Sequence, residues 1–315
     1  MLDERIGNHG ERTVAGANDW GYYANLSIYR FFSGFVRGKS VLEIGSGTGY
    51  GANYLAGVAR SILSVDVDEP AISFCIAHAS SKRIDFRLHD LSVRPIGDAV
   101  FEAIVTSNVL EHIPEIDNLL AHAAGQLDQD GVFLIAVPPV TSPTLFAENF
   151  RNVFHINNLT PLNWHAKFLR YFEEVQCFRH WVVSEFEGSD GALVGMGLAA
   201  DETVIREHNF YFEELAIESL SSSEHCITAV FAVRRPRVQF ADPSLEEELP
   251  RAWNVQMVCS AVMQQEVQKM ALVAQYYREE FDRVQSYCDL QHQKILDLSA
   301  ELHMANERRA SLSGR

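Results

Sequence analysis

The stretch VLEIGSGTGYGANYLA, residues 41–56, decides the fold. Four β-favouring residues, Val41 to Ile44, run into Gly45, Gly47, Gly49 and Gly51, and helix-compatible residues follow. Glycine permits a tight turn and lets a ligand approach bare backbone amides. Amides at the start of a helix suit a carboxylate or phosphate. Outward from this stretch, short apolar runs recur: ILSVDV (62–67), DFRLHD (85–90), FEAIVTSN (101–108) and GVFLIAV (131–137). Helical segments at 51–59, 70–79 and 115–127 separate them, and another precedes them at 24–36. Strand and helix in alternation predict a parallel α/β sheet covered on both faces. VQCFRHWVV (175–183) and CITAVFAV (226–233) read as the last strands, paired as an antiparallel hairpin at the edge. The stretch 184–225 between them, with Gly188, Gly191, Gly195 and Gly197, reads as an insertion or mobile loop.

Composition narrows the function classes. Of 315 residues, 47% are hydrophobic, enough for a core. Lys plus Arg is 26 against 42 for Asp plus Glu, a net charge of −16 that argues against a nucleic-acid binder. No apolar run approaches the roughly 20 residues of a spanning helix, and the first dozen residues lack an apolar signal core. Cys75, Cys177, Cys226, Cys259 and Cys288 are scattered, with no CxxC. That predicts neither disulfides nor a metal site, and a cytoplasmic, reducing compartment.

Past Arg235-Pro236 the character changes. Residues 241–252 read as a linker. Then Val267, Ala274, Phe281, Cys288, Ile295 and Leu302 fall seven apart, and Met270, Tyr277, Val284, Gln291, Leu298 and Ala305 follow each by three. This a/d register over 253–310 predicts a helix of ~60 Å in a left-handed coiled coil. A single amphipathic helix packed back on the main domain is the competing reading. The coil would make the chain a homo-oligomer, or tether it to a partner at a membrane face.

Asp66 ends the second strand, 21 residues after Gly45. An acidic side chain there accepts hydrogen bonds from ribose hydroxyls; the competing reading is a helix cap before Pro70. Gly47-Thr48-Gly49-Tyr50-Gly51-Ala52 also satisfies the G-x-G-x-x-A form of the dinucleotide fingerprint, so a nicotinamide oxidoreductase is the rival class. Glu43 argues against it, because a carboxylate at the strand end repels a pyrophosphate and attracts an ammonium. Asp90 ends the third strand, and the fourth runs into Asn108-Val109-Leu110-Glu111-His112.

VLEIGSGTG, SVDVD, LHDL, FEAIVTSNVLEHIPE and GVFLIAVPP, in that order, resemble the class I S-adenosylmethionine-dependent methyltransferases over about 38–182. Gly10-Glu11-Arg12, Tyr29-Arg30-Phe31, Phe154-His155 and Leu159-Thr160-Pro161 are similar to a bacterial subgroup common in surface-polysaccharide gene clusters. The resemblance implies a Rossmann-like, seven-stranded, mostly parallel sheet with an antiparallel last strand. It implies an N-terminal helical lid (1–38), a catalytic domain (39–240) and S-adenosylmethionine as cofactor. Gly45, Ser46, Gly47 and Gly49 would surround the methionine part and Glu43 its ammonium. Asp66 would hold the ribose, with Val67 beside the adenine, Asp90 on its amino group, Leu91 offering backbone, and Asn108 beneath the sulfonium. The chain departs from the subgroup at Ser46 and Thr48, where Cys and Glu are common, at Asn25, where histidine is common, and at Gln129-Asp130-Gly131.

An anionic acceptor needs no base, whereas a hydroxyl benefits from one. His112, His155 and Glu111 are the candidates, each weighed against a structural role. Tyr22, Tyr23 and Arg30 belong to the lid segment, and Arg151 and Arg170 could meet a phosphate. By the resemblance, the acceptor is a glycan or related small molecule, lipid-linked, and no nucleic acid. A methyltransferase-like scaffold acting through its coil is the non-enzymatic alternative.

Overall fold

The computed structural model describes residue 13 and residues 19–182, 206–223 and 225–240. The expected linker and coiled coil, and the Gly10-Glu11-Arg12 segment, lie outside the described residues.

The central feature is an eight-stranded sheet in the order β3-β2-β1-β4-β5-β8-β6-β7. Its strands are β1 (Ser40–Ile44), β2 (Ser61–Asp66), β3 (Ile84–Leu88), β4 (Phe101–Ser107), β5 (Leu127–Val137), β6 (Phe172–Val182), β7 (Phe210–Leu215) and β8 (Thr228–Pro236). The helices are α1 (Trp20–Val36), α2 (Tyr50–Leu55), α3 (Glu69–Ala77), α4 (Ile116–Gln126), α5 (Pro143–Arg151), α6 (Pro161–Tyr171) and α7 (Ile217–Ser221). β1 to β5 pair in parallel, and β8 runs antiparallel between β5 and β6.

The strand residues sort to two faces because successive side chains alternate. Leu42, Ile44, Ile104, Phe133 and Ile135 pack with Leu119 and Leu120 of α4 and Trp164 and Phe168 of α6. Val41, Ala103, Val105, Leu134 and Ala136 pack with Ile28 and Phe32 of α1, Leu55 of α2 and Ile72 of α3. β1 is buried from Val41 onward, as expected of a central strand covered on both sides. The order reverses at β1, which has β2 on one side and β4 on the other, so a crevice opens past the carboxyl ends of these strands.

The far edge corrects two expectations. The sheet has eight strands, not seven. β6 and β8 do pair antiparallel, but inside the sheet. The edge is β7, which pairs with β6 and comes from the stretch expected to be an insertion or loop. Its second to sixth side chains are exposed or half-buried, and Glu213-Glu214 cut its Phe210–Phe212 run short. β5 also begins earlier than expected, at Leu127, so Gln129-Asp130-Gly131 lies within it. No helix among the described residues is long and apolar enough to cross a membrane.

The start of α3 separates two aspartates. Asp68 is its N-cap and accepts from the Ala71 amide at 3.1 Å, with Pro70 in the first turn. That removes the capping reading from Asp66. Asp68→Ala should cost about 1 kcal/mol of unfolding free energy, the usual value of a side-chain cap. Urea denaturation would measure it, and an unchanged midpoint would contradict the capping role.

Candidate active site

The β1–α2 turn is held in a shape that excludes side chains. Gly45, Gly47 and Gly49 have φ of 84°, 52° and 75°, the left-handed region glycine adopts freely. A Cβ on Gly45 would lie 2.3 Å from Val109 Cγ2. The turn and the segment after β4 are therefore in direct contact.

Glu43 precedes this turn, fully buried on the α1 face. Its register partner across β2 is Ser64, whose hydroxyl donates to Glu43 Oε2 at 2.5 Å and lies 2.6 Å from Ser46 Oγ. Burial pushes the Glu43 carboxyl up to about 7; Ser64 and the nearby Tyr29 hydroxyl offset part of that rise, and the charge on Asp66 adds to it. Glu43 Oε1 has no aligned hydrogen bond among the described residues. A buried carboxylate faced only by neutral hydroxyls fits a cationic group.

Asp66 ends β2 with its carboxylate turned back over the glycine turn. Oδ2 accepts from the Gly47 amide at 2.9 Å and Oδ1 from the Asp68 amide at 3.0 Å. Val67 beside it is 62% exposed, an apolar face on the crevice. Asp90, after β3, is half-buried and accepts from the Ser92 amide and hydroxyl at 2.8 and 2.6 Å. Leu91 is buried, and its carbonyl accepts from His122 Nδ1 at 2.7 Å. Asn108 ends β4 at φ 51°, a left-handed conformation that asparagine tolerates better than most residues. Its amide donates to Asn25 Oδ1 at 3.0 Å, and Asn25 donates to Thr13 Oγ1 at 2.8 Å. The Thr13 carbonyl accepts from Thr48 at 2.8 Å. Residue 13 and α1 thus sit over the glycine turn.

A second cluster stands farther along the loop after β4. Leu110–His112 form a 3-10 turn in which Glu111 is buried. His112 Nδ1 is 2.9 Å from the Phe154 carbonyl, so this ring ties two loops rather than capping a helix. The His112 and His155 rings meet edge to face at 4.9 Å. The two histidines singled out in the sequence are therefore neighbours, and Glu111 joins them. Their spacing along the sequence did not show that the three side chains meet.

Other candidates take structural roles. Arg30 donates to the Phe210 carbonyl at 2.6 Å, and Tyr23 bonds Arg206. Arg170 lies 3.2 Å from Asp117, which also takes Lys167 and Tyr171. Sequence reasoning missed Ser64, Tyr29 and Val109. Only strand register and helix packing bring them to Glu43 and Gly45.

A family model for the methyltransferase domain matches residues 42–135. A protein of Mycolicibacterium smegmatis, described as a probable S-adenosylmethionine-dependent methyltransferase, is 30% identical over 60% of this chain and 70% of its own length. The chain belongs to the S-adenosylmethionine-dependent methyltransferases. A Mycobacterium tuberculosis protein of the same description is 29% identical over 48% of this chain and 55% of its own. The fold matches a methyltransferase structure from Thermotoga maritima at a TM-score of 0.50, with 15% identity, covering 68% of this chain and 89% of that one. The chain is thus a methyltransferase, and its cofactor is S-adenosylmethionine. The buried Glu43 carboxylate, faced by the neutral hydroxyls of Ser64 and Tyr29, the glycine turn without side chains and the carboxylates of Asp66 and Asp90 fit that cofactor's ammonium, methionine backbone, ribose and adenine.

The buried Glu43 predicts a pH dependence. Its folded-state pKa is raised from 4.5 to about 7. Between those values the folded chain keeps a proton that the unfolded chain has lost, so stability falls as pH rises through the window. The loss is about 3 kcal/mol when complete. Glu43→Gln should remove most of the difference in unfolding free energy between pH 5 and pH 8, while weakening cofactor binding at pH 8. Equal pH slopes in the two proteins would place the ionisation elsewhere.

Proposed function

We propose that the chain methylates a hydroxyl oxygen on a glycan or related small molecule, with Glu43, Gly45, Ser46, Gly47, Gly49, Asp66, Val67, Asp90, Leu91 and Asn108 holding the cofactor. The observation that carries the oxygen assignment is the meeting of His112 and His155 beside buried Glu111. Glu111 and His112 follow Asn108 on the loop after β4, and the loop after α5 carries His155 and is bonded to it through the Glu111 carbonyl. A neutral hydroxyl must lose a proton as it attacks, and such a cluster can take it.

S-adenosylmethionine, when bound, supplies a methyl group activated by its sulfonium. The chain's share is binding, alignment, exclusion of water and custody of one proton. Glu43 balances the ammonium, Asp66 and Asp90 orient the nucleoside, and Asn108 packs beneath the sulfonium. His155, with His112 against it, receives the acceptor proton as the new C–O bond forms and the C–S bond breaks.

Val153, Phe154 and Ile156 flank His155 and are 79%, 48% and 56% exposed. An apolar rim there suits an acceptor carrying a lipid. The glycan rests on the sequence resemblance to polysaccharide-cluster enzymes. Buried thiols at Cys75, Cys177 and Cys226 suit a cytoplasmic setting. The heptads of 253–310 support self-association, or a tether to a partner at the membrane face.

Calorimetric titration with S-adenosylmethionine and S-adenosylhomocysteine, with NAD as control, tests the cofactor half. Asp66→Ala should bring binding below detection with an unchanged unfolding midpoint; wild-type affinity would sink the ribose assignment. On the acceptor half, His155→Ala should cut turnover by roughly 10²–10⁴ at unchanged cofactor affinity, followed as S-adenosylhomocysteine released with an accepted hydroxyl substrate. A loss under about threefold would return His155 to packing.

A further inference from the structure

Glu111, His112 and His155 offer one ligand atom each, and the three atoms lie within 4.8 Å of one another. His112 Nε2 is 3.9 Å from Glu111 Oε1. We propose that these residues form a site for one divalent transition-metal ion. The proposal deepens the acceptor side of the function above: with the ion bound His155 serves as its ligand, and without the ion as the base. The ion's chemical role, though not its binding, rests on that reading.

The argument starts from protons. The Phe154 carbonyl can only accept, so at 2.9 Å it requires the proton of a neutral His112 on Nδ1. Its Nε2 then carries a lone pair. His155 reaches the same state through a closed chain of side chains. Asn158 Nδ2 donates to the His155 carbonyl at 3.0 Å, which leaves Asn158 Oδ1 to accept from Asn149 Nδ2 at 2.7 Å. Asn149 Oδ1 is then the group that faces His155 Nδ1, at 2.5 Å. The backbone carbonyl thus sets the polarity of every bond in the chain and puts the neutral ring's proton on Nδ1. In each neutral ring the lone pair is then on Nε2, and each ring is oriented by an oxygen behind it. That is the usual outer arrangement of histidine ligands to a metal.

The third ligand is a carboxylate buried to 1% exposure, where a dication meets little competition from water. Position is fixed as well as chemistry. The Glu111 carbonyl accepts from the Ile156 and Asn157 amides at 2.7 and 2.9 Å. Asn157 Nδ2 donates to the carbonyls of Leu110 and Ile113 at 2.9 and 2.7 Å. The two loops are therefore locked together on either side of the histidines.

Two imidazoles and one carboxylate suit Zn²⁺, Co²⁺, Mn²⁺ or Fe²⁺, whereas Mg²⁺ and Ca²⁺ favour oxygen ligands. Binding would draw the three atoms to about 3 Å apart. Three protein ligands leave a position open, as in catalytic metal sites. An acceptor hydroxyl bound there would lose its proton more readily, with the proton passing to solvent rather than to His155.

The test uses the full chain, tag-free, stripped with a chelator and dialysed. Co²⁺ alone, Zn²⁺ alone and Mg²⁺ alone are titrated in by calorimetry, and Co²⁺ also by visible absorption. The expected result is one equivalent of Co²⁺ or Zn²⁺ at micromolar affinity or tighter, a Co²⁺ band in the visible, and Mg²⁺ at least 100-fold weaker. His155→Ala and His112→Ala should each weaken Co²⁺ at least 10-fold. Asn149→Leu, which keeps all three ligands, should weaken it by roughly 10–100-fold. S-adenosylhomocysteine affinity, measured on each variant, reports that the fold is intact. No stoichiometric Co²⁺ on the wild type, or wild-type affinity in both histidine variants, overturns the metal. Full turnover by ion-free enzyme overturns its chemical role and leaves His155 as base. Failure of S-adenosylhomocysteine to bind, with Co²⁺ still bound, overturns the cofactor assignment and supports the metal site.

Discussion

A carboxylate buried at the end of the central strand governs the geometry around it. Glu43 is fully enclosed, and its neighbours are the groups that make enclosure tolerable. Ser64 must stand across from it on β2 to donate a hydrogen bond. Tyr29 must come down from α1, and its ring then occupies the space a side chain at residue 51 would need, 2.1 Å from a Cβ there. Gly51 is therefore required by packing, apart from any ligand. The same constraint draws α1 across the glycine turn. Desolvation holds the carboxyl protonated up to about pH 7, and a cation brought beside it would favour the ionised form.

The parts of the fold visible in the sequence are those set by local pattern. The strand–glycine–helix unit at 41–56, the alternation up to β5 and the acids ending β2 and β3 depend on near neighbours, and the structure has them where periodicity put them. The edge did not follow. β8 inserts between β5 and β6, a choice made by long-range pairing that no short window contains. β7 was missed because its aromatic run, Phe210–Phe212, is only three residues long before Glu213-Glu214. Asp66 and Asp68 are two residues apart in one loop. Only backbone direction shows that the second caps α3 while the first turns back to the Gly47 amide.

The cluster of Glu111, His112 and His155 was legible only as a set of separate residues. His112 and Glu111 follow β4, and His155 follows α5. Their meeting depends on Asn157 and the Glu111 carbonyl, which pin one loop on the other. Polar residues in loops carry no periodicity, so hydrogen bonding of this kind is invisible to pattern reading. The same limit applied to Arg170, a candidate phosphate ligand by type, which the fold commits to Asp117.

The two halves of the crevice differ in what they use. Toward β1, β2 and β3 the groups are backbone amides and carboxylates, suited to a zwitterionic nucleoside. Toward β4 and β5 they are imidazoles with an apolar fringe. Lys167 and Arg170 of α6 are committed to Asp117. Contact between Gly45 and Val109 brings the two halves together. A shift of the β4 loop would therefore move Glu111 and His112 and crowd the glycine turn at once. That coupling ties the histidine cluster to the glycine turn without any moving part between them.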